Sequence, residues 1–109
     1  MPTDQRTNKQ ISAALAERLF DIRICQDCAQ AGEPHTVNRA EVIEPFASDC
    51  NTALGLVVPA MAKRGYNFGC GKSHRDWWAV FERPLYGYAD ELPRAICLAA
   101  EAALDTEEE

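Results

Sequence analysis

The stretch YNFGCGKSHRDWWAVFER, residues 66–83, decides the fold. Its first part places Tyr66, Phe68 and Cys70 at alternate positions, and DWWAVFER alternates two sets of apolar residues in the same way. A period of two is typical of β-strands. The polar segment GKSHR, residues 71–75, separates the two strands and predicts a hairpin turn. We therefore expect an antiparallel strand pair here.

A first helix is predicted upstream of this hairpin. TNKQ, from Thr7 to Gln10, fits a capping box, and the apolar residues that follow recur at helical spacing. The helix should run from about residue 8 to at least residue 20. We interpret CQDCAQAGEPH, residues 25–35, as the C-terminal end of this helix and its exit turn. A short strand is predicted near residues 37–43.

Two further helices flank the hairpin. The second is capped by Ser48 or Asp49 and ends at Gly65, with a bend or a break at Pro59, which cannot donate a helical hydrogen bond. PLYGY, residues 84–88, reads as a turn or a short edge segment. The third helix, ELPRAICLAAEAAL, covers residues 91–104 and is capped by Asp90.

The net charge of −6 is unevenly distributed. The last nine residues hold five of the 17 acidic residues and no basic one. We expect one domain over residues 1–104 and a solvated acidic tail over residues 105–109. The near-neutral remainder gives no reason to expect duplex nucleic acid as a partner. No apolar run approaches the ~18 residues of a membrane span, and no signal-peptide pattern opens the chain, so we expect a cytosolic protein.

Three stretches together resemble a known family. They are PFASDCNTALGLV at residues 45–57, WWAVF at 77–81 and LPRAICLAAEAAL at 92–104, and ISAALAERLFDI at 11–22 fits the opening helix. In this order they are similar to the phage ABA sandwich family, small proteins of tailed bacteriophages and prophages. The resemblance implies an α+β fold, with a three- to four-stranded antiparallel sheet between helices, and a phage origin. It implies no activity. This sequence departs from the family at Asp21-Ile22, where Gly-Trp is usual, and in the CQDC segment.

The five cysteines are odd in number, which favours thiols or metal ligands over a disulfide framework. A structural zinc site needs four ligands in a tetrahedron. Cys25, Cys28, Cys70 and His74 form the set with the most ligand-like spacing, and His35 or Cys50 are further candidates. The simpler interpretation is that Cys25 and Cys28 are buried thiols. Zinc is therefore the alternative cofactor, and no cofactor is the leading expectation.

The segment from Lys63 to Arg83 holds five cations against two acids, interleaved with aromatic residues. Cations beside aromatic faces can hold an anionic ligand. The candidate ligand-binding residues are Lys72, His74, Arg75 and Trp78. We expect Trp77 to be buried, and Trp78 to be a packing residue as well if helices cover both faces of the sheet.

No residues fulfil the usual roles of a catalytic site. His35 and His74 are the only histidines, and both lie in polar segments away from any recognisable nucleophile. We therefore expect a non-enzymatic, phage-encoded accessory protein of the host bacterial cytoplasm that binds a host or phage protein or a small anionic ligand. A zinc-stabilised interaction module is the alternative. An open sheet edge would also allow a homodimer.

Overall fold

The structure, a computed structural model, describes residues 6–25 and 43–107. The predicted α+β fold is confirmed: within these two ranges, three helices pack with a three-stranded antiparallel sheet. Helix α1 spans Asn8–Phe20. Helix α2 consists of Cys50–Thr52, the π-helical Ala53–Val57 and Val58–Lys63. Strands β1 (Gly69–Lys72), β2 (Trp77–Glu82) and β3 (Leu85–Ala89) follow in sheet order, and helix α3 spans Leu92–Glu107.

Both ends of α1 are determined by single residues. Thr7 and Gln10 form the predicted capping box, with each side chain accepting a backbone N–H of the other. Asp21 ends the helix in the left-handed region at φ 55°. The interpretation of residues 25–35 as the end of α1 is wrong, because the helix stops at Phe20 and Cys25 lies beyond it. Residues 26–42, which include Cys28, His35 and most of the strand predicted near 37–43, lie outside the described residues.

Pro59 neither breaks α2 nor leaves it regular. The turn before it is π-helical, and the N–H of Val58 donates to the carbonyl of Ala53, five residues back. In a regular α-helix the proline ring would meet the carbonyl of Gly55. The wider π-helical turn accommodates this conflict, so the chain stays helical to Lys63.

Helix α3 lies against β2 and β3, and α1 and α2 pack against α3. Helix α3 comes very close to the sheet at Gly87 of β3. A Cβ atom there would lie 2.4 Å from both the Ala95 carbonyl oxygen and the Ala99 nitrogen. The sheet face towards α3 contributes Ala79 and Phe81 to a core. The largest fully buried core side chains are Phe46, Ile11, Leu15, Met61, Ile96, Val57 and Cys97.

Helix α3 is longer than the sequence pattern predicts. It continues to Glu107, three residues into the segment expected to be a solvated tail. Asp105 pairs with Arg18 of α1 at 2.8 Å, and Glu107 pairs with Arg64 after α2 at 2.6 Å. These contacts give the last helical turn partners that are distant in sequence.

Candidate functional site

The hairpin tip, which we define as residues 72–75 at the end of β1 and in the turn that leads to β2, carries three of the four predicted ligand-binding residues. Lys72, Ser73, His74 and Arg75 are all exposed. The Ser73 N–H donates to the Asp76 carbonyl at 2.9 Å and closes the turn. Lys72 lies opposite Trp77 in the strand register, and its Nζ is 5.4 Å from the Trp77 ring centroid. The tip therefore presents cationic side chains at the end of two paired strands, on a turn that a backbone hydrogen bond closes.

Four arginines outside the tip have acidic, amide or carbonyl partners: Arg6, Arg18, Arg64 and Arg94. Arg6 donates two hydrogen bonds of 2.9 Å to Glu101, and Arg94 donates to the side chain of Asn8 at 2.7 Å. Arg75 forms neither a hydrogen bond nor an ion pair within residues 6–25 and 43–107, and the same holds for the exposed Arg23 and Arg83. The Arg75 guanidinium is therefore available to a ligand.

Trp78 is not part of the tip. Alternation along β2 turns it to the sheet face opposite Trp77, which packs against the core and is half-buried. The Trp78 ring covers Gly71, where a Cβ atom would lie 2.6 Å from the indole. The structure thus joins Lys72, His74 and Arg75 in one turn and places Trp78 on a separate surface.

That surface contains two aromatic residues that the sequence analysis did not select. Tyr86 packs edge-on against Trp78, with ring centroids 5.8 Å apart, and Tyr88 lies 6.1 Å from Tyr86. Both belong to β3, which the sequence suggested only as a turn or edge segment. The alternation of Tyr86 and Tyr88 was the available signal, but their position beside Trp78 depends on the β2–β3 register.

The proposed zinc ligands are not assembled in the part of the chain that the structure describes. Cys70 and His74 are exposed, Cys25 is half-buried, and Cys28 lies outside the described residues. No group of three or more His, Cys, Asp or Glu side chains within 6–25 and 43–107 is arranged to hold a metal ion. The zinc site stays a prediction, since one of its four ligands is not described.

Cys97 is an interior thiol rather than a ligand candidate. It is fully buried on α3. Burial raises the pKa of the Cys97 thiol well above its usual range; the nearby Glu101 carboxylate adds to the increase, and Arg94 opposes it. The side chain therefore stays protonated and behaves as an apolar core residue.

Comparison with family models, with curated proteins and with solved structures finds no match for this chain. No helix among the described residues has the length and apolar character needed to cross a bilayer. Function is therefore inferred from the fold and from the geometry of the sheet surfaces.

Proposed function

We propose that this protein is a non-enzymatic binding protein, a phage-encoded accessory protein of the ABA sandwich type that acts in the host bacterial cytoplasm. In this proposal, the hairpin tip contacts an anionic group of a host or phage protein or of a small ligand. The observation that carries it is the pair of exposed cations, Lys72 and Arg75, at the end of a regular hairpin.

The pairing of charged side chains supports the hairpin tip as the binding site for an anionic group. Three arginines outside the tip pair with carboxylates: Arg6 with Glu101, Arg18 with Asp105 and Arg64 with Glu107. The guanidinium of Arg75 has no such partner among the described residues. Arginine recognises carboxylates and phosphates through two parallel hydrogen bonds, and His74 adds a further polar group beside it. The tip therefore offers an anionic partner two exposed cations, Lys72 and Arg75, within four consecutive residues.

The test compares two double variants with the same change in charge. Lys72→Ala/Arg75→Ala removes the tip cations, and Lys63→Ala/Arg83→Ala removes two exposed cations outside the tip. Each tagged protein is used to capture partners from a lysate of phage-infected bacteria, followed by native mass spectrometry. Inorganic pyrophosphate is titrated in parallel, with backbone amide NMR signals as the readout for a small anion.

We expect the tip variant to lose the captured partner or the pyrophosphate response, and the control variant to keep it. Binding should also weaken with added salt, because exposed charges are screened within about 8–10 Å at physiological ionic strength. Interactions that survive unchanged in the tip variant would refute the proposal.

A further inference from the structure

The hairpin tip is convex. Lys72 and Trp77 are the last paired residues of β1 and β2, and residues 73–76 form the turn beyond them. Residues 72–75 are all exposed, so the tip projects into solvent and does not enclose a ligand. Binding sites for small molecules, by contrast, are concave and bury most of the ligand surface. A free small anion at the tip would therefore stay largely hydrated.

The strength of exposed ion pairs limits what the tip can hold by itself. One ion pair between exposed groups strengthens binding by up to about fivefold, because water and salt screen the two charges. The two tip cations, Lys72 and Arg75, together reach about thirtyfold, which corresponds to a dissociation constant of roughly tens of millimolar. A free anion at about 1 mM would leave such a site mostly empty.

A partner that encloses the tip would change this balance. Close charge pairs that a protein interface shields from water strengthen binding by about tenfold or more each. Arginine is enriched among the residues that dominate protein interfaces, and its planar guanidinium binds a carboxylate through two parallel hydrogen bonds. The Arg75 guanidinium has no partner within residues 6–25 and 43–107, so both of its outer edges can accept one.

The tip is already ordered for such a contact. The Ser73 N–H donates to the Asp76 carbonyl at 2.9 Å, and the Lys72 Nζ lies 5.4 Å from the ring centroid of Trp77. Trp77 in turn packs against the core. A preorganised loop loses little conformational freedom on binding, so more of the interaction energy contributes to affinity.

We propose that the hairpin tip inserts into an acidic cleft of a partner protein, whose Asp and Glu carboxylates enclose Lys72 and Arg75. This inference rests on the proposed function and decides between its two ligand classes, in favour of a protein. Nucleic acid is a poorer fit. Its affinity grows with the number of phosphates that a protein neutralises, and the tip supplies only two cations on a chain with a net charge of −6.

The test is site-specific photo-crosslinking of the full chain. p-Benzoylphenylalanine replaces Ser73, whose backbone N–H closes the turn. The matched control carries the same probe in place of Arg83, which is exposed in the other turn of the sheet, between β2 and β3. Both proteins are irradiated in a lysate of phage-infected bacteria, and the cross-linked segments are identified by mass spectrometry. Pyrophosphate is titrated separately, with the backbone amide NMR signals of the tip as the readout.

We expect the probe at residue 73, and not the probe at residue 83, to cross-link to a protein segment rich in Asp and Glu. Lys72→Ala/Arg75→Ala should lower the yield of this product at least about tenfold, because two enclosed charge pairs are lost. Lys63→Ala/Arg83→Ala should leave the yield unchanged, since both cations lie outside the tip. Pyrophosphate should half-saturate the tip signals only above about 10 mM.

Several results would overturn the inference. They are saturation of the tip by pyrophosphate below about 1 mM, a cross-link to nucleic acid or to a second copy of this chain, and the absence of a protein product that depends on the tip cations. In the first case the tip still binds an anion, so the proposed function stands and only the acidic cleft is refuted. A cross-link and a pyrophosphate response that both persist unchanged in the tip variant would refute the proposed function as well.

Discussion

Replacing Gly87 with alanine should destabilise the protein more than any other single methyl addition to the sheet. Gly87 is buried where β3 meets α3. An added Cβ would lie 2.4 Å from the Ala95 carbonyl oxygen and 2.4 Å from the Ala99 nitrogen. Both are backbone atoms of one helix, so no change of side-chain rotamer can make room.

The expected loss of stability in Gly87→Ala follows from these distances. Ordinary van der Waals contact begins near 3.4 Å, so α3 and β3 must separate by about 1 Å. Such a separation weakens packing along the whole contact, and overpacked sites typically lose about 1–3 kcal/mol. Because the conflict is between backbones, we expect about 3 kcal/mol. For a domain of this length, that corresponds to a melting temperature lower by roughly 12 °C.

Gly55→Ala is the matched control. The same methyl group is added at an exposed helical position, where nothing lies within 4 Å of the new Cβ atom. Alanine is the better helix former, so stability should rise by about 0.5–1 kcal/mol. Urea denaturation and thermal unfolding monitored by circular dichroism would measure both variants against the parent protein.

The two substitutions should change the free energy of unfolding in opposite directions. A loss of less than about 1 kcal/mol in Gly87→Ala, with the parent spectrum retained, would show that α3 does not approach β3 this closely. A comparable loss in Gly55→Ala would show that the cost does not come from the contact with α3. Either result would refute the reasoning.

Three further predictions concern single residues or pairs. Asp21→Gly should raise the melting temperature and Asp21→Ala should lower it, because φ is 55° at this position and glycine adopts that conformation without steric cost. Above pH 9, the unfolded chain loses the Cys97 thiol proton while the folded protein keeps it, so the free energy of unfolding should fall by about 1.4 kcal/mol per pH unit. Cys97→Ala should show a shallower alkaline decline in urea denaturation, and an equal slope would contradict the prediction. A double-mutant cycle of Arg6→Ala and Glu101→Ala should give a coupling energy of about 1 kcal/mol for their bidentate pair, and a value near zero would contradict it.

Local patterns in the sequence were sufficient for much of the fold. The capping box at Thr7, the alternation along β2 and the alanine-rich face of α3 each follow from contacts between near neighbours in the chain. The end of α1 could not be predicted in this way, because apolar residues continue at helical spacing as far as Ile22 while Asp21 already leaves the helix. Aspartate is a weaker signal for a left-handed C-cap than glycine.

The longer extent of α3 and the strand character of β3 were not predicted for a different reason. The carboxylates of Asp105 and Glu107 pair with Arg18 of α1 and with Arg64 just after α2, and such partners cannot be recognised before the helices are placed. Strand β3 contains Gly87 at its centre, which weakens a strand pattern, yet the close approach of α3 requires glycine there.

The candidate site was predictable only in part. A polar turn with two cations between strands predicts an exposed tip, and Lys72 and Arg75 lie there. The separation of Trp78 from these cations follows from strand register, because Lys72 lies opposite Trp77. The neighbours of Trp78 come from β3, so the cluster of Trp78, Tyr86 and Tyr88 could be recognised only in the three-dimensional arrangement of the sheet.

The last turn of α3 defines how short the chain can be made. A truncation after Leu104, where the apolar pattern ends, would remove both carboxylates that reach Arg18 and Arg64. It would also place a charged terminal carboxylate next to a side chain that is only 3% exposed. Because an ionised group must stay solvated, the final residues of α3 would unwind to expose it. The shortest chain that keeps this helix intact therefore extends to Glu107, and C-terminal tags belong after that residue.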